Sequence, residues 1–275
     1  MLTFPESADH VLFMTPITPS PPAQSAALAS DTVPPVSRDS LIEWLDIESV
    51  TQSAIASPSL LDKELYRALA FRKGNHYPRQ KNYHGFYYFA QTGHHVWHES
   101  LVEASVLSFL DLHEEIVAIS SQPMKIIFPN GKVHYPDFLA LHADQRQVVY
   151  DVKPSSRMTE EVVAQFKLTA AVCAQVGWDY QVQSDLPKQV MINISWIGAF
   201  RHHGYNPGLA ATTQLLSAMG AGFTLGDAVH AIGIPSLPQA RSAVYHLIAT
   251  RLLRIDLTQP LSDSTFVNRT PRAHA

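Results

Sequence analysis

The chain has 275 residues, 46% of them hydrophobic, which allows one large or two ordinary domains with a substantial core. Its single cysteine, Cys173, excludes an intramolecular disulfide framework and a cysteine-rich zinc site. There is no run of about 20 apolar residues, and the start lacks the basic and apolar regions of a secretory signal, so we expect a soluble cytoplasmic protein. The net charge of −4 does not indicate a nucleic-acid-binding protein, although binding depends on a local basic surface rather than on the sum.

The first third of the chain changes in composition. Residues 1–37 are rich in Pro, Ser, Ala and Thr, which predicts a disordered tail. Residues 38–96 are expected to hold an N-terminal helix followed by a basic and aromatic arm. Ser40 and Glu43 have the spacing of a capping box, and apolar residues follow Ser40 at helical spacing, so we place the helix there.

The arm combines cations with aromatic rings. Five cations occur from position 67 to position 81 with no acid between them: Arg67, Arg72, Lys73, Arg79 and Lys81. Cations contact phosphates and rings stack on bases, so these residues are candidate DNA contacts. The alternative is an ordinary arm whose charges are solvated. The FYYF run that follows is expected to enter a strand or the core.

Apolar residues at helical spacing predict a helix over residues 97–112, and Glu103 lies on it. Three histidines stand just before this helix: His94, His95 and His98. No companion cysteine or spaced histidine pair supports a zinc site, so we interpret them as loop residues near the helix.

Two strands are expected to follow this helix. The first covers residues 133–141, after a Pro-Asn-Gly turn, and contains Asp137 directly after a proline. The second, QVVYDVK, alternates, so Asp151 and Lys153 share one face while Val152 points into the core. Two carboxylates on neighbouring strands make an oxygen-rich pocket that suits Mg²⁺ or Mn²⁺. Lys153 could orient a water molecule or neutralise charge on a phosphate.

Further helices and strands are expected after Lys153. A helix over residues 159–176, capped by Thr159, and a strand in WDYQVQSD complete an αβββαβ core. Residues 188–206 are interpreted as a connection. Beyond them, the phrase TLGDAVHAIG, followed by a turn and a long helix, resembles a winged helix-turn-helix. Arg241 on that helix is a candidate DNA contact, and docking of a partner protein is the alternative.

The order helix-Glu, Pro-Asp, Asp-x-Lys resembles the PD-(D/E)xK nuclease superfamily. The run from Glu99 through Gln122-Pro123 to YDVKP resembles, more narrowly, the TnsA-type endonuclease subunit of heteromeric transposases. This resemblance covers about Trp97–Asp185. Glu99 lies one helical turn before Glu103, and the spacing to Gln122-Pro123 favours Glu103 as the family's helix glutamate.

The resemblance implies an α/β fold: a restriction-endonuclease-like core over residues 97–204, with a mixed sheet flanked by helices. A smaller, mainly helical, winged-helix-like domain over residues 205–275 would follow it. It also implies a set of catalytic residues: Glu103, Asp137, Asp151 and Lys153. Mg²⁺, for which Mn²⁺ can substitute, would be held by Glu103, Asp137, Asp151 and the Val152 carbonyl.

The implied function is hydrolysis of one DNA strand at each transposon end, while a separate DDE transposase cuts and joins the other strand. The implied partners are double-stranded DNA, that transposase and, as a further candidate, an ATPase regulator. Two alternatives stay open at the level of sequence. One is a stand-alone restriction or resolvase-type nuclease, and the other is a non-catalytic DNA-binding scaffold subunit.

Overall fold

A computed structural model describes residues 40–71 and 83–270; the tail predicted over residues 1–37 lies outside them. The centre of the fold is a four-stranded sheet in the order β10-β9-β8-β5. Its strands are β5 (Ile116–Ser121), β8 (Phe138–His142), β9 (Gln147–Val152) and β10 (Asp179–Gln183). β5, β8 and β9 pair antiparallel, and β10 pairs parallel to β9, so the sheet is mixed as predicted.

Helix α1 (Leu101–His113) packs on one face of this sheet and helix α2 (Glu160–Val176) on the other. The side chains of Ser100 and Thr159 cap the two helices by accepting from backbone N–H groups in the first turn. The order α1-β5-β8-β9-α2-β10 confirms the predicted αβββαβ core, and α2 begins after Thr159 as expected. The structure is therefore a mixed α/β fold.

Alternate residues of β8 and β9 are buried on opposite faces. Phe138 and Tyr150 pack with α1, whereas Leu139 and Val149 pack with α2. Side chains alternate with a period of two along a strand, so covering both faces requires nearly continuous apolar runs. This explains the composition of both strands.

The helix predicted within residues 38–58 is wrong, because this segment forms a hairpin. Strands β1 (Leu41–Leu45) and β2 (Thr51–Ile55) pair antiparallel. Burial alternates along β1, where Ile42 and Trp44 are buried. This alternation is the period of a strand, and pairing with a later strand, β6 (Lys125–Ile127), overrides the capping-box spacing.

The single strand predicted over residues 133–141 is also corrected. Val133 and His134 form the short strand β7, which pairs with β6 in the second sheet, in the order β2-β1-β6-β7. β8 begins only at Phe138 and belongs to the central sheet. Pro136 lies at the break, where its ring fixes φ and removes a backbone donor, so the chain changes sheets there.

The FYYF run lies in strand β3 (Gly85–Phe89), as expected, and pairs with β4 (His94–His98) in a two-stranded hairpin. His94, His95 and His98 therefore lie on a strand, and their interpretation as loop residues is wrong. Helix α1 begins at Leu101 rather than at residue 97, because Ser100 caps it in extended backbone.

Residues 188–206 are not a plain connection, because they contain helix α3 (Lys188–Gly198) with Val190, Ile194 and Ile197 buried at helical spacing. Three helices follow: α4 (Gly208–Ala218), α5 (Leu225–Ala231) and α6 (Leu237–Ala249). A two-stranded hairpin, β11 (Leu253–Ile255) and β12 (Val267–Arg269), comes last. Ile197 and residues from these elements share one apolar core. In the described part of the chain, no helix has the length and apolar character needed to cross a membrane.

A buried histidine on β8 makes the fold sensitive to acid. His142 is 3% exposed, and its Nε2 lies 2.9 Å from the Tyr150 hydroxyl. Burial, with a smaller effect of Arg146, lowers the pKa of His142 to about 4. An unfolded histidine titrates near about 6.5, so its contribution to stability is complete above that pH and is lost as the pH falls from about 6.5 to 4.

We therefore expect the free energy of unfolding to fall by up to ~3 kcal/mol over that interval. Urea unfolding across the interval measures this loss. His142→Gln should make the profile shallower, while His113, whose pKa burial also lowers to about 4, keeps part of the slope, and the exposed His203→Gln should leave the profile unchanged. Parallel profiles for the wild type and His142→Gln would contradict the assignment.

Candidate active site

Asp137 lies where β8 begins, beside the end of β9. Its backbone N–H donates to the Tyr150 carbonyl at 3.1 Å, and its carbonyl accepts from the Gln122 N–H at 2.8 Å. Its side-chain Oδ2 accepts from the Val152 N–H at 2.6 Å. These bonds hold the carboxylate against the end of β9, and the prediction that Asp137 adjoins the Asp151 strand is confirmed.

Asp151 is 1% exposed and is held from two sides. His134 Nε2 lies 3.0 Å from Oδ1 and 2.8 Å from Oδ2, and the Tyr180 hydroxyl donates to Oδ2 at 2.5 Å. Burial raises the pKa of Tyr180, and the neighbouring Asp151 raises it further, so the phenol stays protonated as a donor. The Phe166 ring of α2 lies against both the His134 and the Tyr180 rings.

Sequence reasoning missed His134 and Tyr180. His134 reaches Asp151 from β7, a strand of the second sheet, and Tyr180 reaches it from β10. The local sequence gives no clear signal, because His134 lies in the two-residue strand VH and Tyr180 in the mostly polar strand DYQVQ. The contacts themselves depend on how the two sheets meet.

Val152 and Lys153 lie at the end of β9. Val152 packs into the core with α1, as the alternation predicts. The Lys153 N–H donates to the Gln183 carbonyl at 2.9 Å, and its carbonyl accepts from the Ser184 hydroxyl at 2.9 Å. The backbone of Lys153 is therefore fixed beside β10. By strand alternation its side chain leaves on the same side as that of Asp151.

Glu103 lies in the first turn of α1 and takes part in its cap. Its N–H donates to Ser100 Oγ at 3.2 Å. Its carboxylate accepts from the Ser100 hydroxyl at 2.8 Å and from the Glu99 N–H at 2.6 Å. This arrangement explains why the helix starts here. It also fixes the Glu103 carboxylate at the N-terminal end of α1, where its negative charge raises the pKa of Asp137.

The neighbouring carboxylates raise the cost of ionising Asp137. Loss of solvent raises the pKa of Asp137 well above its usual value, and the negative charges of Asp151, Glu103 and Glu99 raise it further, in that order. The Val152 N–H acts in the opposite direction. Like charges gathered in a poorly solvated place are typical of functional sites, because a bound cation or substrate can relieve their repulsion.

The carboxylate oxygens suit a divalent cation, although too few ligands from the described residues are grouped here to surround one. Carboxylate oxygens of Asp137 and Asp151 are ligands that Mg²⁺ prefers, and their mutual repulsion would be relieved by it. Among residues 40–71 and 83–270, however, no three His, Cys, Asp or Glu side chains are grouped so that they could hold a metal ion. His134 and Tyr180 occupy the Asp151 oxygens instead, and Val152 is seen to contribute its N–H rather than its carbonyl.

The candidate DNA contacts lie apart from this cluster in the chain. Arg67 is exposed and has one loose ion pair, 3.8 Å from Glu64. Arg241 donates to Asp263 at 2.6 Å, so its guanidinium is already engaged within the chain. The other four candidates lie outside the described residues: Arg72, Lys73, Arg79 and Lys81.

Comparison with known proteins finds a family model that is similar to the segment carrying this site. Residues 113–185 match the model of the TnsA-like endonuclease N-terminal domain. The match covers the four strands of the central sheet and includes Asp137, Asp151 and Lys153, whereas Glu103 lies before it. No curated protein matches the chain. The segment that carries the carboxylate pair is therefore similar to the TnsA-like endonuclease N-terminal domain, in agreement with the resemblance that the sequence predicts.

Proposed function

We propose that the chain is a Mg²⁺-dependent DNA endonuclease that hydrolyses one strand at transposon ends and acts with a separate DDE transposase. The observation that carries the proposal is the meeting of Asp137 and Asp151 at the paired ends of β8 and β9. Lys153 follows directly, and all three lie inside the segment that matches the TnsA-like endonuclease domain. Carboxylates with an adjacent lysine are suited to phosphodiester hydrolysis.

The carboxylates and the lysine would have different roles in the reaction. Asp137 and Asp151 would hold Mg²⁺ or Mn²⁺ together with the Val152 carbonyl and Glu103. Such an ion supplies Lewis-acid polarisation of the scissile phosphate and lowers the pKa of the attacking water. Lys153 Nζ would donate a hydrogen bond to that water and offset the charge that develops on the phosphate.

His134 and Tyr180 act on the reaction through Asp151, as positioning residues. Tyr180→Phe removes a donor from Asp151 and keeps the ring packing against Phe166. We expect about tenfold slower nicking, because a hydrogen bond to a charged group contributes about 1.5–3 kcal/mol. Rates at saturating Mn²⁺ and the Mn²⁺ concentration for half-maximal rate measure it. Tyr205→Phe, a partly exposed tyrosine after α3, is the control, and equal rates for both variants would contradict the role.

The C-terminal elements are proposed to form a winged-helix-like domain. α5 has seven residues and begins with a capping box at Thr224, a turn joins it to the 13-residue helix α6, and the β11–β12 hairpin has the place of a wing. This domain would contact DNA or the transposase, and an ATPase regulator is a further candidate partner. Because Asp263 already engages Arg241, a phosphate contact at that residue would have to compete with this ion pair.

One observation favours a different class of function, a DNA-binding scaffold without catalysis. In the described segments no three candidate metal ligands are grouped, and the oxygens of Asp151 are bonded within the chain. A scaffold would retain the nuclease fold and bind DNA or transposase without cutting. The two proposals differ in whether Asp137 and Asp151 can release their internal bonds to a cation.

The test is cleavage of a transposon-end duplex labelled on each strand, with Mg²⁺ or EDTA and with or without transposase. The proposal predicts a single cut in one strand that requires Mg²⁺, transposase and Asp137, and that is lost in Asp137→Ala. Accurate cutting without transposase would instead indicate a stand-alone restriction or resolvase-type nuclease. Binding without any cutting would establish the scaffold.

A further inference from the structure

The β3–β4 hairpin carries an outward strip of aromatic rings. Phe86 and Tyr88 are 66% and 52% exposed, and they lie opposite Trp97 and His95 on the neighbouring strand. Ring centroids are 5.0 Å apart for Phe86 and Trp97 and 5.4 Å apart for Tyr88 and His95. His84 extends the strip, 5.2 Å from the Trp97 ring. We call these five residues the aromatic strip.

The other face of the hairpin anchors it. Phe89 and Val96 are buried and pack with α1 and the central sheet, and Tyr87 packs against the same cluster. The Tyr87 hydroxyl also donates to Asp111 of α1 at 3.1 Å. The strip is therefore presented by a hairpin fixed to the nuclease core, and its exposure is not needed to hold the hairpin in place.

The sequence that leads into and through the strip has the charge of a segment that binds a polyanion. No aspartate or glutamate occurs from Arg67 to His98, whereas five lysines and arginines and five histidines do. The chain as a whole carries a net charge of −4, so this segment departs from the rest. Aromatic rings among cations are the composition that binds exposed bases together with their phosphates.

The strip adjoins the proposed active site along the chain. β4 ends at His98, and the next residues are Glu99 and the Ser100 cap of α1. Glu103 follows one turn after Glu99, and the negative charges of both residues raise the pKa of Asp137. A strand that contacts the aromatic strip would therefore pass close to the end of the sheet where cleavage is proposed.

We propose that the aromatic strip binds unpaired DNA bases next to the cleaved bond by stacking, chiefly on Phe86, Tyr88 and Trp97. The inference rests on the proposed nuclease function and adds a substrate feature to it, namely single-stranded or unstacked nucleotides rather than an intact duplex. Bases in a duplex are stacked on each other, so their faces are accessible to these rings only after local opening. Stacking tolerates any base, so this contact would not depend on the DNA sequence.

The test measures binding of labelled oligothymidylate and of a blunt duplex to the full chain in EDTA, where cleavage cannot occur. We expect the combined change Phe86→Leu and Tyr88→Leu to weaken oligothymidylate binding by at least about tenfold and duplex binding by less than about threefold. Leucine keeps apolar bulk and removes the ring, so it separates stacking from apolar contact. Phe266→Leu, a 63% exposed phenylalanine at the C-terminal hairpin, should change neither affinity.

The outcomes separate this inference from the proposed function. Asp137→Asn should bind oligothymidylate like the wild type, so loss of nicking in that variant leaves the strip unaffected. Unchanged oligothymidylate affinity in the leucine variant, with an unchanged thermal midpoint, would overturn the inference. Loss of transposase binding with oligothymidylate affinity intact would also overturn it and would assign the strip to protein docking.

Discussion

Asp137→Asn is expected to stabilise the metal-free protein at neutral pH and to abolish nicking. The pKa of Asp137 is raised by loss of solvent and by the charges of Asp151, Glu103 and Glu99. A raised pKa in the folded state means that its favourable contribution is complete below the unfolded pKa and is lost as the pH rises through the folded pKa. Asparagine is never charged and still accepts from the Val152 N–H.

Thermal unfolding in EDTA from about pH 4 to 8 measures this effect. The variant and the wild type should coincide at the acid end and diverge as the pH rises, with the variant more stable by about 1 kcal/mol or more. Nicking should fall by more than about a hundredfold, because even residues behind metal ligands typically cost about 10–100-fold. Asp62→Asn, a change at an exposed aspartate of the N-terminal region, is the control. A variant less stable than the wild type at the alkaline end would contradict the conclusion that the charge of Asp137 destabilises the metal-free fold.

Asp111→Ala is expected to destabilise the fold by about 3–5 kcal/mol, because it removes the carboxylate partner of a buried arginine. Asp111 Oδ2 lies 3.2 Å from a terminal nitrogen of Arg201, and their side chains are 1% and 12% exposed. The backbone N–H groups of Ala90 and Gln91 also donate to this carboxylate. Burial raises the pKa of Asp111, although these hydrogen bonds lower it in part. Burial also lowers the pKa of Arg201 to about 10.

Urea unfolding near neutral pH measures the loss. The matched control is Asp144→Ala, which removes a carboxylate 2.7 Å from Arg146 in an exposed pair. Exposed pairs contribute less than about 1 kcal/mol, so the control should change little. Equal losses in the two variants would show that burial of the Asp111 pair does not determine its contribution.

Much of the nuclease core could be predicted because its signals are local. Thr159 and the apolar spacing after it define α2, and alternation defines β9. The short turn between β8 and β9 makes their pairing almost unavoidable, which brings Asp137 to Asp151. The site's carboxylate pair therefore follows from strand order and from the period of a strand.

The N-terminal hairpin could not be predicted because its reasons are distant in the chain. β1 pairs with β6, and Lys125 donates to Glu43 at 2.9 Å, a contact between residues 82 positions apart. Ser40 and Glu43 look like a capping box only until that pairing is known. Local propensity is weaker than tertiary pairing when a strand buries residues as large as Trp44.

The hydrogen-bond partners of Asp151 could not be predicted from the sequence for a similar reason. His134 acts from a strand of the second sheet, and Pro136 separates that strand from β8. Tyr180 acts from β10, whose parallel pairing with β9 depends on the intervening helix α2. A sequence pattern can locate each strand, but these contacts arise only when the two sheets and the helix are assembled.

Nicking of a supercoiled plasmid by the full chain tests most directly the claim that Asp137, Asp151 and Lys153 form a hydrolytic site. The comparison is between wild type, Lys153→Ala and Lys132→Ala, an exposed lysine in the turn before β7, in Mg²⁺, Mn²⁺ or EDTA, with and without transposase. We expect nicked circles for wild type and Lys132→Ala that require a divalent cation, and none for Lys153→Ala. Nicking by Lys153→Ala at the wild-type rate, or nicking that persists in EDTA, would contradict it.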